Sequence, residues 1–393
     1  MLLNLEAKQM LENQIIPFWQ SLQDKEHGGY YGWVSHDLQV NKNAEKGCIL
    51  NSRILWFFAT AAKILKRPDL REYADHAYRF LREYCLDSKN GGIYWSLNYD
   101  GSVLDSTKYT YNQAFAIYAL SAYYETVGDL EALRLARALY RLIEEKCTDG
   151  GGYGEAFDEM FRPISNEKLS ENNVIAARTM NTVLHIFEGY SGLLQADPDS
   201  EVANSMRRIL KIFREKIYNP ALHRQEVFFD ADMNSILDLH SYGHDIEASW
   251  LIDWGCALLD DEALAKEIGE ITSDLARQVY ETAYHNDSVW NEREKGVDDE
   301  TRIWWVQAEA AVGFLNQYQK HPQDAQYMQA AAAVWGYIKD YMVDSRPGSE
   351  WFWEVDNNGN PNRNKPMVEP WKCPYHNGRM CFEILRRWPL VTP

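Results

Sequence analysis

The sequence has no pair of cysteines at C-x-x-C spacing: its six cysteines stand alone at 48, 85, 147, 256, 373 and 381. That absence excludes zinc ribbons and thioredoxin-type redox motifs. It leaves reduced, buried thiols of a cytoplasmic protein as the expectation. Long apolar runs are missing too. No window approaches the ~18 consecutive apolar residues of a membrane span. The opening "MLLNLEAKQMLENQ" has neither the basic n-region nor the apolar core of a secretory leader, and it reads as a first helix. Basic residues are outnumbered, 40 Lys and Arg against 58 Asp and Glu, for a net charge of −18. Such a field repels nucleic acid and anionic membranes. No Pro/Ser-rich linker breaks the chain, so residues 1–393 are expected to form one domain.

Aromatic residues are abundant: 14 Trp, 24 Tyr and 14 Phe. A large aromatic core explains them, and so does a carbohydrate cleft in which ring faces pack on sugar C–H faces. Composition alone favours the core.

Six segments resemble one another: "HGGYYGWVSHDLQ" from 27, "NGGIYWSLNYDGS" from 90, "DGGGYGEAFDEMF" from 149, "NPALHRQEVFFDADMN" from 219, "NDSVWNEREKGVDD" from 286 and "GSEWFWEVDNNGNPN" from 348. Each is a short aromatic or β-branched run framed by Gly, Asn and Asp, the chemistry of hairpins and turns. Between them lie pairs of helical patterns. "SRILWFFATAAKIL" is apolar nearly all round and belongs inside, whereas "LREYADHAYRFLREYCL" carries a charged stripe and belongs outside. Six such pairs closed in a ring predict an all-α (α/α)6 toroid, with the turn segments at one rim and a funnel at its centre.

Polar residues that interrupt the apolar inner helices are the candidate site. They are Arg53, Tyr111, Asn181, His185 with Glu188, His244 with Glu247 and Trp250, Trp304 and Trp305 with Glu309, and Trp371 with His376. A lone histidine on an apolar helix is more often a satisfied core residue than a catalyst. Three histidines at matching positions of different helix pairs weaken that explanation. Two of them, in "HIFE" and "HDIE", carry a glutamate three residues on, which a helix places on the same face. A carboxylate there is expected to raise the imidazole pKa, fix its tautomer and poise it for proton transfer.

The stretch "HSYGHDIEASW" (240–250) also has the look of a metal site. "SYG" reads as a loop, however, so the helix is expected to begin near His244, and His240 and His244 need not share a face. No third ligand completes a tetrahedron. His240 is read as structural and His244 as a proton carrier.

"NSRILWFF", "MNTVLHIFEGYSGL", "SYGHDIEASWLI", "WWVQAEA" and "WKCPYHNGRMC" resemble, in order and over nearly the whole chain, the N-acylglucosamine 2-epimerase superfamily, and within it the cellobiose-type branch. The resemblance implies reversible inversion at C2 of the reducing-end glucose of β-1,4-linked disaccharides, such as cellobiose and lactose. Ring opening and a cis-enediolate are implied, with neither metal nor nicotinamide as cofactor. It implies His244 and His376 as the acid–base pair, His185 assisting at the developing oxyanion, and Glu247 orienting its histidine. Arg53, Tyr111, Asn181, Trp250, Trp305, Glu309 and Trp371 would hold the sugar. A monomer is also implied. Competing readings are a monosaccharide epimerase or aldose–ketose isomerase of the same superfamily, an inverting glycoside hydrolase with two carboxylates, and a non-catalytic binding protein.

Overall fold

A computed structural model describes residues 3–170 and 172–388. Glu171 and both ends of the 1–393 span expected as one domain lie outside the described residues. Twelve helices are present among the described residues. The outer ones are α1 (3–21), α3 (71–85), α5 (Leu130–Lys146), α7 (200–217), α9 (Glu262–Thr282) and α11 (325–342). They alternate with inner helices α2 (Cys48–Ile64), α4 (Thr110–Val127), α6 (Met180–Ala196), α8 (Tyr242–Ala257), α10 (Trp304–Lys320) and α12 (His376–Arg387). The two kinds differ as their patterns require. In α2 every residue from Cys48 to Ala62 is buried, whereas α5 buries only the stripe Ala132, Ala136, Leu139, Tyr140 and Ile143. Outer helices start on capping aspartates: Asp129, Asp199 and Asp261 each accept from backbone N–H groups of the following turn.

The repeating unit is an outer helix, a hairpin and an inner helix. The short strand before each inner helix pairs with the hairpin of the next unit. Lys46–Gly47 pairs with Ser96–Leu97, Lys108–Tyr109 with Ala156–Phe157, and Arg178–Thr179 with Phe228–Phe229. Leu239–Ser241 pairs with Glu292–Glu294, and Arg302–Ile303 with Glu354–Val355. Val368 then pairs with Val34 of the first hairpin and closes the ring. Each inner helix also grips the hairpin of its own unit. Gln113 accepts from Ile93 N and donates to Ile93 O, and Gln307 does the same at Val289. Buried lysines pin two of the turns: Lys46 Nζ lies 2.6 Å from Asp24 and Lys108 Nζ 2.9 Å from Asp87. The fold is the (α/α)6 toroid that the helix periodicity predicts. All six cysteines are buried and unpaired. No helix among the described residues is long and apolar enough to cross a membrane.

Candidate active site

The inner helices converge on a funnel of about 470 Å³ that opens on the hairpin rim, a volume within the usual range for small-molecule sites. Its walls include Arg53, Tyr111, Asn181, His185, His244, Glu247, Trp305, Trp371 and His376. Nine of the eleven residues that the resemblance assigns to the site therefore meet at one place. Trp304 and Trp353 widen the aromatic wall, and Asn172, Glu292, Asp299 and Lys365 supply polar groups towards the mouth. The tryptophans divide between two places: Trp19, Trp335 and Trp351 fill the core, while Trp304, Trp305, Trp353 and Trp371 face the funnel.

The three histidines are held alike. His185 Nδ1 lies 2.8 Å from Glu188 Oε2, His376 Nδ1 lies 2.7 Å from Glu309 Oε1, and His244 Nδ1 lies 2.7 Å from Ser241 Oγ. With Nδ1 engaged, Nε2 is left without a hydrogen bond to the described protein in each ring. Trp305 packs between two of them, its centroid 4.8 Å from that of His244 and 5.5 Å from that of His376.

Several expectations need correcting. Glu247 does not orient His244, because Ser241 holds the Nδ1 of that ring. Ser241 is the N-cap of α8, yet its hydroxyl makes no capping bond to the backbone; it is spent on the imidazole. Helix α8 begins at Tyr242, two residues before His244, so Tyr242 and Gly243 belong to its first turn rather than to a loop. Gly243 lies inside the first turn, where the Trp305 ring occupies the space a Cβ would need. His240 is in the preceding strand, with Nε2 at 2.8 Å from Asp245 Oδ2. Glu309 and Trp250, expected to hold sugar, do not line the funnel. Both are buried behind it, where Trp250 Nε1 donates to Glu309 Oε2 at 2.9 Å. The predicted upward pKa shift is also reversed. Burial, followed by the charge on His185, lowers His244 to about 3. Burial, then the Arg379 charge, holds His376 well below the ordinary histidine range. At His376, desolvation and a neighbouring guanidinium outweigh the carboxylate partner Glu309.

Arg379 went unremarked in the sequence although it sits in "WKCPYHNGRMC". Its guanidinium donates to Glu188 Oε1 and Tyr375 OH through Nη1, and to Glu247 Oε1 and Glu309 Oε1 through Nη2. The signal that could have found it is the count of carboxylates on apolar helix faces, since buried acids require a buried counter-charge. Glu247 Oε2 has no partner. Burial first, then the Glu309 charge, raises that carboxyl to about 7. Ligand atoms of Glu247, Glu309 and His376 lie within 4.8 Å of one another, as in a metal cluster. The guanidinium already supplies the positive charge that this group of acids calls for. Arg53 Nη2 donates to Tyr111 OH at 2.8 Å, with its guanidinium 4.2 Å above the Phe115 ring.

The fold and the site together define a helical toroid that presents three imidazoles to a polar, tryptophan-walled funnel. The family model for N-acylglucosamine 2-epimerase (GlcNAc 2-epimerase) matches residues 18–377. A cellobiose 2-epimerase of Eubacterium cellulosolvens is 49% identical, over 96% of this chain and 97% of that one. The crystal structure of a sugar epimerase from a ruminal bacterium superposes with a TM-score of 0.97 at 46% identity, covering 99% of this chain and 100% of the other. That of cellobiose 2-epimerase from Bacillus thermoamylovorans B4167 gives 0.94 at 42%, covering 98% and 99%. The chain belongs to the N-acylglucosamine 2-epimerase family.

Proposed function

We propose that this chain inverts C2 of the reducing-end glucose of β-1,4-linked disaccharides, converting cellobiose to glucosyl-mannose and lactose to epilactose. The observation that carries this reading is the pair of buried imidazoles of His244 and His376. They come from different inner helices, flank one indole, and each keeps a free Nε2. Relatives named as cellobiose 2-epimerases at 49% and 47% identity favour the disaccharide.

A proton α to an open-chain aldehyde is weakly acidic, so the site needs a base and donors at the developing enediolate oxygen. A depressed pKa keeps both imidazoles neutral, hence able to accept a proton, at and below neutral pH. After ring opening, one imidazole takes the C2 proton through Nε2 and the cis-enediolate forms. A proton delivered to the opposite face, by the other imidazole or by the same one after C–C rotation, completes the inversion. Arg53, which stays charged when buried, and His185 stabilise the enediolate oxygens. Asn181, whose Oδ1 is buried without a partner, receives a sugar hydroxyl. Trp371 and Trp305 pack on the sugar faces. No resident metal or nicotinamide takes part, and the monomer is the active unit.

Incubation with cellobiose in D2O tests this directly: deuterium at C2 of both epimers is expected, and His244→Ala is expected to abolish it with the fold intact. Turnover by His244→Ala at the wild-type rate would remove the catalytic assignment. Free glucose released from cellobiose would point to a hydrolase. Fructose formed from mannose, with cellobiose untouched, would point to a monosaccharide isomerase.

A further inference from the structure

Every N–H on the two terminal nitrogens of Arg379 has its own acceptor: Glu188, Tyr375, Glu247 and Glu309. The three glutamates come from three successive inner helices, α6, α8 and α10, and all are at most 1% exposed. Guanidinium and indole are donors only. Glu309 therefore accepts from Arg379 at Oε1 and from Trp250 at Oε2, and His376 must donate to it through Nδ1–H. Glu188 accepts from Arg379 at Oε1 and from Tyr375 at Oε2, while the Tyr375 oxygen itself receives an Arg379 N–H. His185 must donate there too.

We infer that Arg379 is a positioning residue. By keeping Glu309 ionised and fixed, it locks His376 in the Nδ1–H tautomer and so points that ring's Nε2 lone pair into the funnel; through Glu188 it fixes the orientation of His185. The inference rests on the epimerase reading for its kinetic consequence but not for its geometry. A structural ion cluster needs only a charge, which a lysine supplies; a tautomer lock needs the planar fork that reaches acceptors on three helices at once. Without the guanidinium, buried carboxylates lie close together with no counter-charge and take up protons. A protonated Glu309 can then donate to His376 Nδ1, moving the ring proton to Nε2 and removing the lone pair from the funnel. The groups facing His376 are Glu309, Glu247, Arg53, His185, His244 and Tyr375 besides Arg379. Arg379 is, after burial itself, the largest influence holding the ring neutral. Its loss raises the pKa of His376, so the imidazole protonates at higher pH.

The test combines nitrogen-15 NMR of the histidine rings with pH profiles for the wild type, Arg379→Gln and Arg379→Lys. In the wild type at neutral pH, His376 should show Nδ1–H and an unprotonated Nε2, and His185 a proton on Nδ1. In Arg379→Gln, His376 should appear as Nε2–H or imidazolium. Its kcat should fall roughly 100-fold, the scale of misplacing a catalytic group by about 1 Å, with KM moving less, and the acid limb of kcat should shift to higher pH. Arg379→Lys should fall between the two. A wild-type His376 found as Nε2–H overturns the inference even if neither variant folds. So does a folded Arg379→Gln whose tautomers and acid limb match the wild type, or an Arg379→Lys with unchanged kcat. Tautomers as stated in an enzyme that does not epimerise disaccharides would sink the functional reading and leave this one standing.

Discussion

Gly243→Ala is the most informative small perturbation, because the residue makes no hydrogen bond to the site and yet sets its spacing. A Cβ at Gly243 would lie 2.7 Å from both Trp305 Cζ3 and Val306 Cγ2, and closer still to Trp305 Cη2. Carbon atoms in contact sit at ~3.5 Å or more, so the indole must retreat by about 1 Å. That indole separates His244 from His376, and a shift of ~1 Å at reacting groups costs on the order of 100-fold in rate. Stability should change far less. Gly-to-Ala within a helix gains ~1 kcal/mol, set against ~1–3 kcal/mol for overpacking. The net loss of ~0–2 kcal/mol, at ~2.1 cal/mol/K of unfolding entropy per residue, is about 2 °C in Tm at most. Gly336→Ala is the matched control: it also lies in a helix, α11, but nothing stands within 4 Å of its Cβ. It should gain ~0.5–1 kcal/mol and leave kcat/KM alone. Steady-state epimerisation of cellobiose and thermal unfolding of the three proteins read both effects. If Gly243→Ala keeps wild-type kcat/KM, the indole is not the spacer between the imidazoles and the reasoning fails.

Three further outcomes are expected. Asp24→Asn leaves the buried Lys46 ammonium without its counter-charge, which costs ~3–5 kcal/mol; urea unfolding should show that loss while kcat/KM per folded molecule is unchanged. Glu155, buried beneath Thr179 and Thr182, is raised by burial to about 7 from 4.5. Its contribution is therefore fully present below the unfolded value and is lost as pH rises towards 7. The Tm of Glu155→Gln relative to wild type should accordingly climb from about pH 5 to about pH 8, and a constant difference would contradict the burial argument. The third concerns the acid limb. With His244 lowered to about 3 and His376 also depressed, both bases stay neutral well below the usual ~6.5 of histidine. In Glu247→Gln, which lacks the funnel carboxyl raised to about 7, the kcat/KM profile should then stay flat through ~6.5, and a limb centred there would refute the buried, neutral bases. The same depression predicts a stability term that is present above ~6.5 and lost as pH falls towards the folded value.

Patterns within a helix were legible in the sequence, whereas contacts between helices were not. The alternation of all-round apolar and one-sided helices announced the ring because burial acts on each helix separately. "HIFE" worked as its spacing predicts: His185 Nδ1 reaches Glu188 Oε2, three residues on along one helix face. "HDIE" has the same spacing, but His244 is in the first turn, where the N-cap hydroxyl of Ser241 is within reach of Nδ1. The carboxylate three residues later is instead taken by Arg379, from the far end of the chain. Gly243 looked like a loop residue for a similar reason. The demand it meets comes from Trp305, on the next inner helix, and no local pattern encodes it. Trp250 and Glu309 look identical in sequence to residues that line the funnel. Only the position of His376 and Arg379 on α12 shows that they support the site from behind.

The place where the chemistry sits follows from how the scaffold is tied. Near the start of each inner helix one side chain clamps the hairpin of its own unit: Asn51 on Tyr30, Gln113 on Ile93, Thr182 on Glu155, Asp245 on Gln225, Gln307 on Val289 and Asn377 on Glu350. Those clamps face the rim and fix the rotation of each helix about its axis. On a helix with 3.6 residues per turn, one or two residues away means a rotation of about 100–200°, which turns a side chain from the hairpin towards the centre of the ring. Asn181, His244 and His376 each stand one residue before a clamp, and Tyr111 and Trp305 stand two before. Arg53 stands two after. The clamp that secures the hairpin thus also aims its neighbour into the funnel. Breaking a clamp should therefore disturb the adjacent site residue more than its own hairpin's stability. Gln307→Ala frees the backbone of Val289, and rotation of α10 would carry Trp305 out from between the two imidazoles. A kcat loss exceeding what the drop in Tm explains is the expected signature, and loss of stability with wild-type kcat would show that the clamps tie the hairpins without aiming the site.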